Sequence, residues 1–315
     1  MSAAEDDYDE FGMLSDNAAE AGLTLPTLPA VTRTSFTLAG GQTVSALAWG
    51  DAEPELVLLH GGGQNAHTWD TLALALGRPL LAIDLPGHGH SGRREDRDYG
   101  PWRNAEAVAS VIETAAPAAR GVVGMSLGGA TAIRLAATRP DLVRRAVIVD
   151  VTPNSGVRSR SLTPAERGAV ALVSGPPTYE SYAAMAAAAV AASPNRPRSA
   201  VERGVRHNAR RLPDGRWTWR YDLFGERPAA VADHTGLWAD VSAITVPVLL
   251  VLGADSQLTG KDDVAEFRRR LPAARVEVVP GAGHAVQSDQ PLALARLIED
   301  FTVCSAGQRA VESDY

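Results

Sequence analysis

The sequence predicts an α/β protein with a doubly wound, mostly parallel sheet of about eight strands. Short apolar runs of four or five residues alternate along the chain with longer stretches of helical periodicity. Such runs are expected for strands that helices bury on both faces. A serine also follows one of the runs inside a glycine-rich turn, where a helical pattern begins, which is typical of a strand joined tightly to a helix.

The predicted strands begin with an antiparallel hairpin, in which residues 34–38 and 43–49 flank Gly40 and Gly41. This glycine pair tolerates positive φ angles and so allows a tight turn. Buried strands are then expected at 56–59, 80–83, 122–125, 146–149, 248–252 and 276–279. Helices are expected at 69–76, 102–115, 127–138, 263–271 and 292–301.

Residues between Asp150 and Pro247 show no buried-strand pattern, and this interval is too long for a plain connection. Helices are expected there at 162–173, 179–192 and 199–211. We interpret residues 153–240 as a helical lid inserted after the sixth strand, on a core formed by 30–152 and 241–303. Residues 1–29, which are acidic and rich in alanine, are expected to be a disordered tail, and 304–315 a second tail.

Composition excludes several kinds of partner. The formal net charge of -7 argues against nucleic-acid binding, because phosphates require clustered cations. No apolar run approaches the roughly 18 residues of a membrane span. The single cysteine, Cys304, excludes an intrachain disulfide, and no secretory signal is recognised, so a cytoplasmic location is expected. We expect a monomer or homodimer that acts on a small molecule.

The motif Gly124-Met125-Ser126-Leu127-Gly128 places a serine between a strand and a helix. A serine hydroxyl is a poor nucleophile, so an enzyme must expose it on a tight turn within reach of a base. Asp255 and His284 each follow a later predicted strand, and the carboxyl ends of parallel strands share one edge of the sheet. Ser126, Asp255 and His284 are therefore predicted to meet as nucleophile, acid and base. Asp150, after the 146–149 strand, is the alternative acid.

Negative charge that develops on a substrate oxygen needs preorganised donors. The backbone N–H of Leu127, at a helix start, is one candidate, and that of Gly62, in the run His60-Gly61-Gly62-Gly63, is the other. His60, His88 and His90 are interpreted as braces for their loops, and no metal site is predicted. The candidates for the pocket wall are Trp69, Met125, Trp217 and Trp238, although packing of the lid is favoured for Trp217.

Five segments together resemble the α/β-hydrolase superfamily, in its lidded esterase-like branch. They lie at 58–63, 84–91, 124–129, 253–255 and 281–284. The resemblance implies the triad Ser126, Asp255 and His284, oxyanion donors at Gly62 and Leu127, a helical lid and no cofactor. The expected function is a cofactor-free serine hydrolase that cleaves a carboxylic ester, lactone, thioester or amide through an acyl-enzyme.

Two other functions are compatible with the pattern. A carbon–carbon bond hydrolase or lyase would use the same triad, but Ala285 stands where such enzymes usually carry tryptophan. A hydrolase fold reused as a ligand-binding protein would not need a complete set of catalytic residues. Ser126 also separates the chain from epoxide hydrolases and haloalkane dehalogenases, which carry aspartate at that turn.

Overall fold

The computed structural model describes residues 8–163, 166, 175–222 and 233–303. The strands are β1 (Val31–Thr37), β2 (Thr43–Trp49), β3 (Leu56–Leu59), β4 (Leu80–Ile83), β5 (Gly121–Met125), β6 (Ala146–Val149), β7 (Ala209–Arg211), β8 (Trp217–Trp219), β9 (Val248–Gly253) and β10 (Arg275–Val279). The helices are α1 (Leu14–Glu20), α2 (Asp70–Leu76), α3 (Pro101–Ala115), α4 (Leu127–Thr138), α5 (Ser155–Ser161), α6 (Tyr182–Ala191), α7 (Arg198–Asn208), α8 (Leu237–Ala243), α9 (Lys261–Arg270), α10 (Val286–Asp289) and α11 (Pro291–Val303). A 3₁₀ turn, Ala66–Trp69, precedes α2.

Eight strands form one sheet in the order β1-β2-β4-β3-β5-β6-β9-β10. β2 pairs antiparallel with β1 and with β4, and every other pair is parallel. The predicted eight-stranded, mostly parallel sheet is confirmed. Within the described ranges no helix is both long enough and apolar enough to span a bilayer.

Apolar side chains of the strands alternate between two clusters, one on each face of the sheet. Val57 and Leu59 of β3 join the cluster that also takes residues of α3, α4, α8 and α9. Leu56 and Leu58 join the other, with residues of α1, α2, α10 and α11. The sheet is therefore covered on both faces, which explains why its strands read as continuous apolar runs.

The N-terminal segment differs from the prediction. Residues 14–20 form α1, which packs against α2 and buries Leu14 and Ala18, and Phe11 packs against the same cluster. Apolar residues at positions 11, 14 and 18 follow helical spacing, so one face of this segment has enough apolar surface to bind the core. The expectation of disorder is wrong for residues 8–29, while 1–7 and 304–315 lie outside the described residues.

The chain between β6 and α8 forms an insert, residues 153–236, with an apolar cluster of its own. Helices α6 and α7 pack together with the hairpin of β7 and β8, and they bury Met185, Val205 and Trp219. The helix predicted at 162–173 falls mainly outside the described residues. The helix predicted at 199–211 ends at Asn208, and its last three residues form β7. Since α8 packs against α4, the core resumes at Leu237.

The connection from β5 to α4 is unusually tight, and three glycines in these two elements make it possible. A Cβ atom built on Gly128 would lie 2.1 Å from the carbonyl oxygen of Leu59, at the end of β3. One built on Gly124 would lie 2.2 Å from the carbonyl oxygen of Gly128, and one on Gly129 would lie 2.6 Å from Val151 Cγ1. No other residue type leaves room for α4 to pass this close to β3 and β5.

Gly128→Ala is expected to lower the free energy of unfolding by at least about 3 kcal/mol, because the added methyl group meets backbone that cannot move aside. Gly204→Ala is the matched control, since Gly204 lies within α7 and a methyl group added there would meet no atom within 4 Å. Alanine at that position should raise stability by about 0.5 to 1 kcal/mol. Urea unfolding measures both, and similar stabilities would contradict this account of the turn.

Candidate active site

Ser126 occupies the turn between β5 and α4 in a strained backbone conformation. Its φ is 51° and its ψ is -115°, a region that residues other than glycine rarely adopt. The Ser126 N–H donates to the Val149 carbonyl at 3.1 Å, and its own carbonyl accepts from Ala130 N–H at 2.8 Å. The side chain is half-buried at the carboxyl edge of the sheet. This is the strand, turn and helix setting that the sequence motif predicts.

His284 is paired with Asp150, not with Asp255. The imidazole Nδ1 lies 2.7 Å from Asp150 Oδ2, and the carboxylate is fully buried at the end of β6. Asp150 has a φ of 50° and also accepts from the Gly253 N–H at 3.0 Å. The positive φ lets its side chain face β9 and the histidine loop.

The assignment of Asp255 as the acid is therefore wrong. Asp255 is exposed, and the structure records no hydrogen bond from His284 to its carboxylate. Its backbone N–H donates to the Ala282 carbonyl at 2.9 Å, so the main chain at Asp255 supports the histidine loop while the side chain faces solvent.

The glycine run after β3 lies against the serine. A Cβ built on Gly61 would lie 3.3 Å from Ser126 Cβ, and one built on Gly62 would lie 4.0 Å from Leu127 Cδ2. The Gly61 N–H already donates to Gln64 Oε1 at 3.0 Å. Among the described residues, the N–H groups of Gly62 and Leu127 have no acceptor, as required of donors reserved for a substrate oxygen.

Ser126 and His284, both within the described ranges, share no hydrogen bond in this structure. They are nevertheless linked through β6, because Ser126 bonds to the main chain of Val149 and the next residue, Asp150, holds the imidazole. Catalytic hydrogen bonds are often long or misaligned without substrate and tighten when it binds.

The chain is similar to known proteins over most of its length. Residues 56–297 match the α/β hydrolase family. The chain belongs to that family. It is 50% identical over 291 residues to Esterase Rv0045c of Mycobacterium tuberculosis, covering 92% of this chain and 94% of the relative. It is also 31% identical over 252 residues to the sn-1-specific diacylglycerol lipase ABHD11 of Mus musculus, with coverage of 77% and 79%.

A solved structure of the M. tuberculosis esterase Rv0045c, from work on its inhibition by transition metals, superimposes with a TM-score of 0.82. The two chains are 48% identical, and the match covers 94% of this chain and 99% of the other. The prediction of an esterase-like enzyme of the α/β-hydrolase family is confirmed at the level of fold and enzyme class.

The α/β-hydrolase site contains one polar residue that the sequence analysis missed. Ser256 Oγ donates to Asp150 Oδ2 at 2.5 Å and accepts from the Leu258 N–H at 3.2 Å. Asp150 thus accepts three hydrogen bonds, from Ser256, Gly253 and His284, which satisfy a carboxylate that is fully buried. Nothing in the sequence pattern marked Ser256 for this role.

The four candidates for the pocket wall lie in packed surroundings. Trp69 has no exposed surface, so its assignment as a substrate contact is wrong. Trp217 packs edge-on against Tyr182 inside the insert, which agrees with the favoured packing role. Trp238 donates from Nε1 to Asn154 and packs against the core, while Met125 is buried with Sδ close to Gly61. Met125 supports the glycine run beside Ser126.

The insert is hydrogen-bonded to the loop that follows β4. Gly89 N–H donates to the Arg220 carbonyl and Asp222 N–H to the Gly87 carbonyl, each at 2.7 Å. His88 lies between these bonds, fully buried and close to the ring of Tyr221. Its Nδ1 donates to the Pro86 carbonyl at 3.0 Å, so the predicted bracing role for this histidine agrees with the contacts.

Burial lowers the pKa of His88 from 6.5 to about 3, and His60 nearby adds to the shift. Between about pH 3 and pH 6.5, His88 therefore binds a proton in the unfolded chain but stays neutral in the folded protein. Stability due to His88 is present above pH 6.5 and is lost as the pH falls toward 3, at about 1.4 kcal/mol per pH unit.

The variant His88→Gln should consequently show a flatter loss of unfolding free energy than wild type between pH 6.5 and 4.5. Urea unfolding at a series of pH values measures the difference. Contributions from carboxylates are common to both proteins and cancel in the comparison. If the unfolding free energies of wild type and His88→Gln changed in parallel with pH, the buried, neutral state of His88 would be contradicted.

Proposed function

We propose that this α/β-hydrolase cleaves carboxylic esters of small to medium size through an acyl-enzyme on Ser126. The observation that carries the proposal is the pair of His284 and Asp150 at the sheet edge where the strained turn exposes the serine. A nucleophile, a base and an acid that orients the base are the elements that acyl transfer requires.

In the proposed mechanism, His284 Nε2 takes the proton of Ser126 Oγ while the oxygen attacks the ester carbonyl. Nδ1–H remains bonded to Asp150, which fixes the tautomer and stabilises the imidazolium. The N–H groups of Gly62 and Leu127 stabilise the oxyanion. His284 then protonates the leaving alcohol. Water, deprotonated by the same imidazole, attacks the acyl-enzyme and releases the acid and the free serine.

Ser256 has a supporting part in this proposal. Its hydroxyl holds Oδ2 of Asp150, the same oxygen that bonds to His284, and so limits rotation of the carboxylate. The two named relatives, an esterase and a diacylglycerol lipase, also favour an ester as the substrate. We further propose that the insert acts as a lid, and that the enzyme is a cytoplasmic monomer or homodimer.

Ser126→Ala should reduce turnover of p-nitrophenyl acetate by about 10⁶-fold, because the nucleophile is lost while the fold is retained. A fluorophosphonate probe should label wild type once and should not label this variant. Ser288→Ala, which removes an exposed serine near the histidine loop, is the control and should be labelled normally. Normal turnover by Ser126→Ala would exclude the mechanism.

Asp150→Asn should lower kcat by about 10⁴-fold, because an amide in that place favours the wrong imidazole tautomer. Asp255→Asn should leave kcat near the wild-type value, since that carboxylate is exposed and does not contact His284. Steady-state kinetics with circular dichroism as a folding check compares the two. A severe loss in Asp255→Asn with little loss in Asp150→Asn would reverse the assignment of the acid.

A further inference from the structure

A second cluster of titratable side chains lies at the contact between the insert and the core. His67 belongs to the 3₁₀ turn before α2, Asp70 is the first residue of α2, and His207 lies near the end of α7. All three side chains are buried, with relative exposures of 9%, 2% and 4%. The proposed ester hydrolysis does not use any of them.

One potential ligand atom from each residue lies close to those of the other two. His67 Nδ1 lies 3.0 Å and His207 Nε2 lies 3.7 Å from Asp70 Oδ2, and all three atoms lie within 4.8 Å of one another. Ligand atoms about 2.0 to 2.1 Å from a tetrahedral zinc ion are roughly 3.3 Å apart. The two shorter separations are within a few tenths of an ångström of that value.

Two polar atoms of this cluster lack hydrogen-bond partners. His207 Nε2 and Asp70 Oδ1 are both buried, and neither has a partner among the described residues. A buried polar atom without a partner costs about 1 to 3 kcal/mol. A cation bound by His207 Nε2 and by both oxygens of the Asp70 carboxylate would satisfy both atoms.

The remaining nitrogen of each imidazole is held by a second group. His67 Nε2 lies 3.1 Å from Glu10 Oε1, and His207 Nδ1 lies 2.8 Å from the Tyr8 hydroxyl. Metal-binding histidines characteristically donate their other ring N–H to an oxygen, which fixes the tautomer and the ring orientation. Both rings here have that arrangement.

The charges around the cluster favour a dication. Arg33 pairs with Glu10 and Asp84, and Asp70 is the third carboxylate. Once both imidazoles are deprotonated, as coordination requires, these three carboxylates and the one guanidinium leave two negative charges. Imidazole and carboxylate ligands together suit Zn²⁺ and related transition metals, whereas Mg²⁺ and Ca²⁺ prefer oxygen alone.

We propose that His67, Asp70 and His207 form a binding site for one divalent transition-metal ion of the Zn²⁺ type. The rings of His67 and His207 stack 3.7 Å apart at 9°, so one ring must turn before both lone pairs point at the same ion. Binding also releases to solvent the proton between His67 and Asp70. Because the ligands come from α2, its preceding turn and α7, the ion ties the insert to the core.

Isothermal titration of the full-length, chelator-treated protein with Zn²⁺ tests the proposal. One Zn²⁺ should bind per chain, and Mg²⁺ should not bind measurably. His207→Gln should abolish binding, and Tyr8→Phe, which keeps all three ligands, should weaken it by about 10-fold. His234→Gln removes a half-buried histidine outside the cluster and is the control, expected to bind as wild type does.

His284→Ala separates this site from the proposed catalytic histidine and should also retain Zn²⁺ binding. Loss of binding in His284→Ala but not in His207→Gln would overturn the proposal, as would the absence of stoichiometric Zn²⁺ binding to wild type. If His207→Gln fails to fold, hydrogen exchange measured on the wild-type protein with and without Zn²⁺ tests the proposal instead. Zn²⁺ should slow amide hydrogen exchange in α7, and unchanged exchange there would also overturn the proposal.

Discussion

The contact between Gly128 and the carbonyl of Leu59 is the constraint on which the rest of the site depends. It brings the start of α4 against the end of β3, closer than any side chain would allow. The chain can leave β5 and enter α4 over such a short distance only if Ser126 takes a positive φ. The same contact sets the N–H of Leu127 beside the glycine run, so the proposed nucleophile and the proposed oxyanion donors are positioned together.

Most of the sheet could be predicted because a short apolar run in the sequence marks each buried strand. Runs such as 56–59 and 80–83 are apolar on both faces, and the structure reproduces their limits. The serine turn was also predictable, since Gly124 meets the carbonyl of Gly128 four residues on, within one motif, although the contact that requires Gly128 is with Leu59 of β3. Local sequence is sufficient where the constraint is local.

The acid was assigned wrongly for a reason that sequence does not reveal. Asp150 and Asp255 follow β6 and β9, which are neighbours in the sheet, so both stand close to the histidine loop. Which carboxylate faces inward depends on backbone angles, and Asp150 turns inward through a φ of 50°. Burial then requires partners, which Gly253 and Ser256 supply. Neither the angle nor the partners leave a pattern in the residues themselves.

The insert and the glycine run are linked in a way that neither segment predicts alone. Asn208 of α7 donates to the Gly63 carbonyl at 2.7 Å, and Asn65 donates to the His207 carbonyl at 3.1 Å. Gly63 follows the residue whose N–H is proposed to stabilise the oxyanion, so movement of α7 pulls on that donor. Tyr8 and Glu10 bond to His207 and His67 beside these asparagines. The N-terminal segment therefore helps to hold α7 where the glycine run keeps its geometry, and any displacement of α7 would also disturb the proposed oxyanion donor at Gly62.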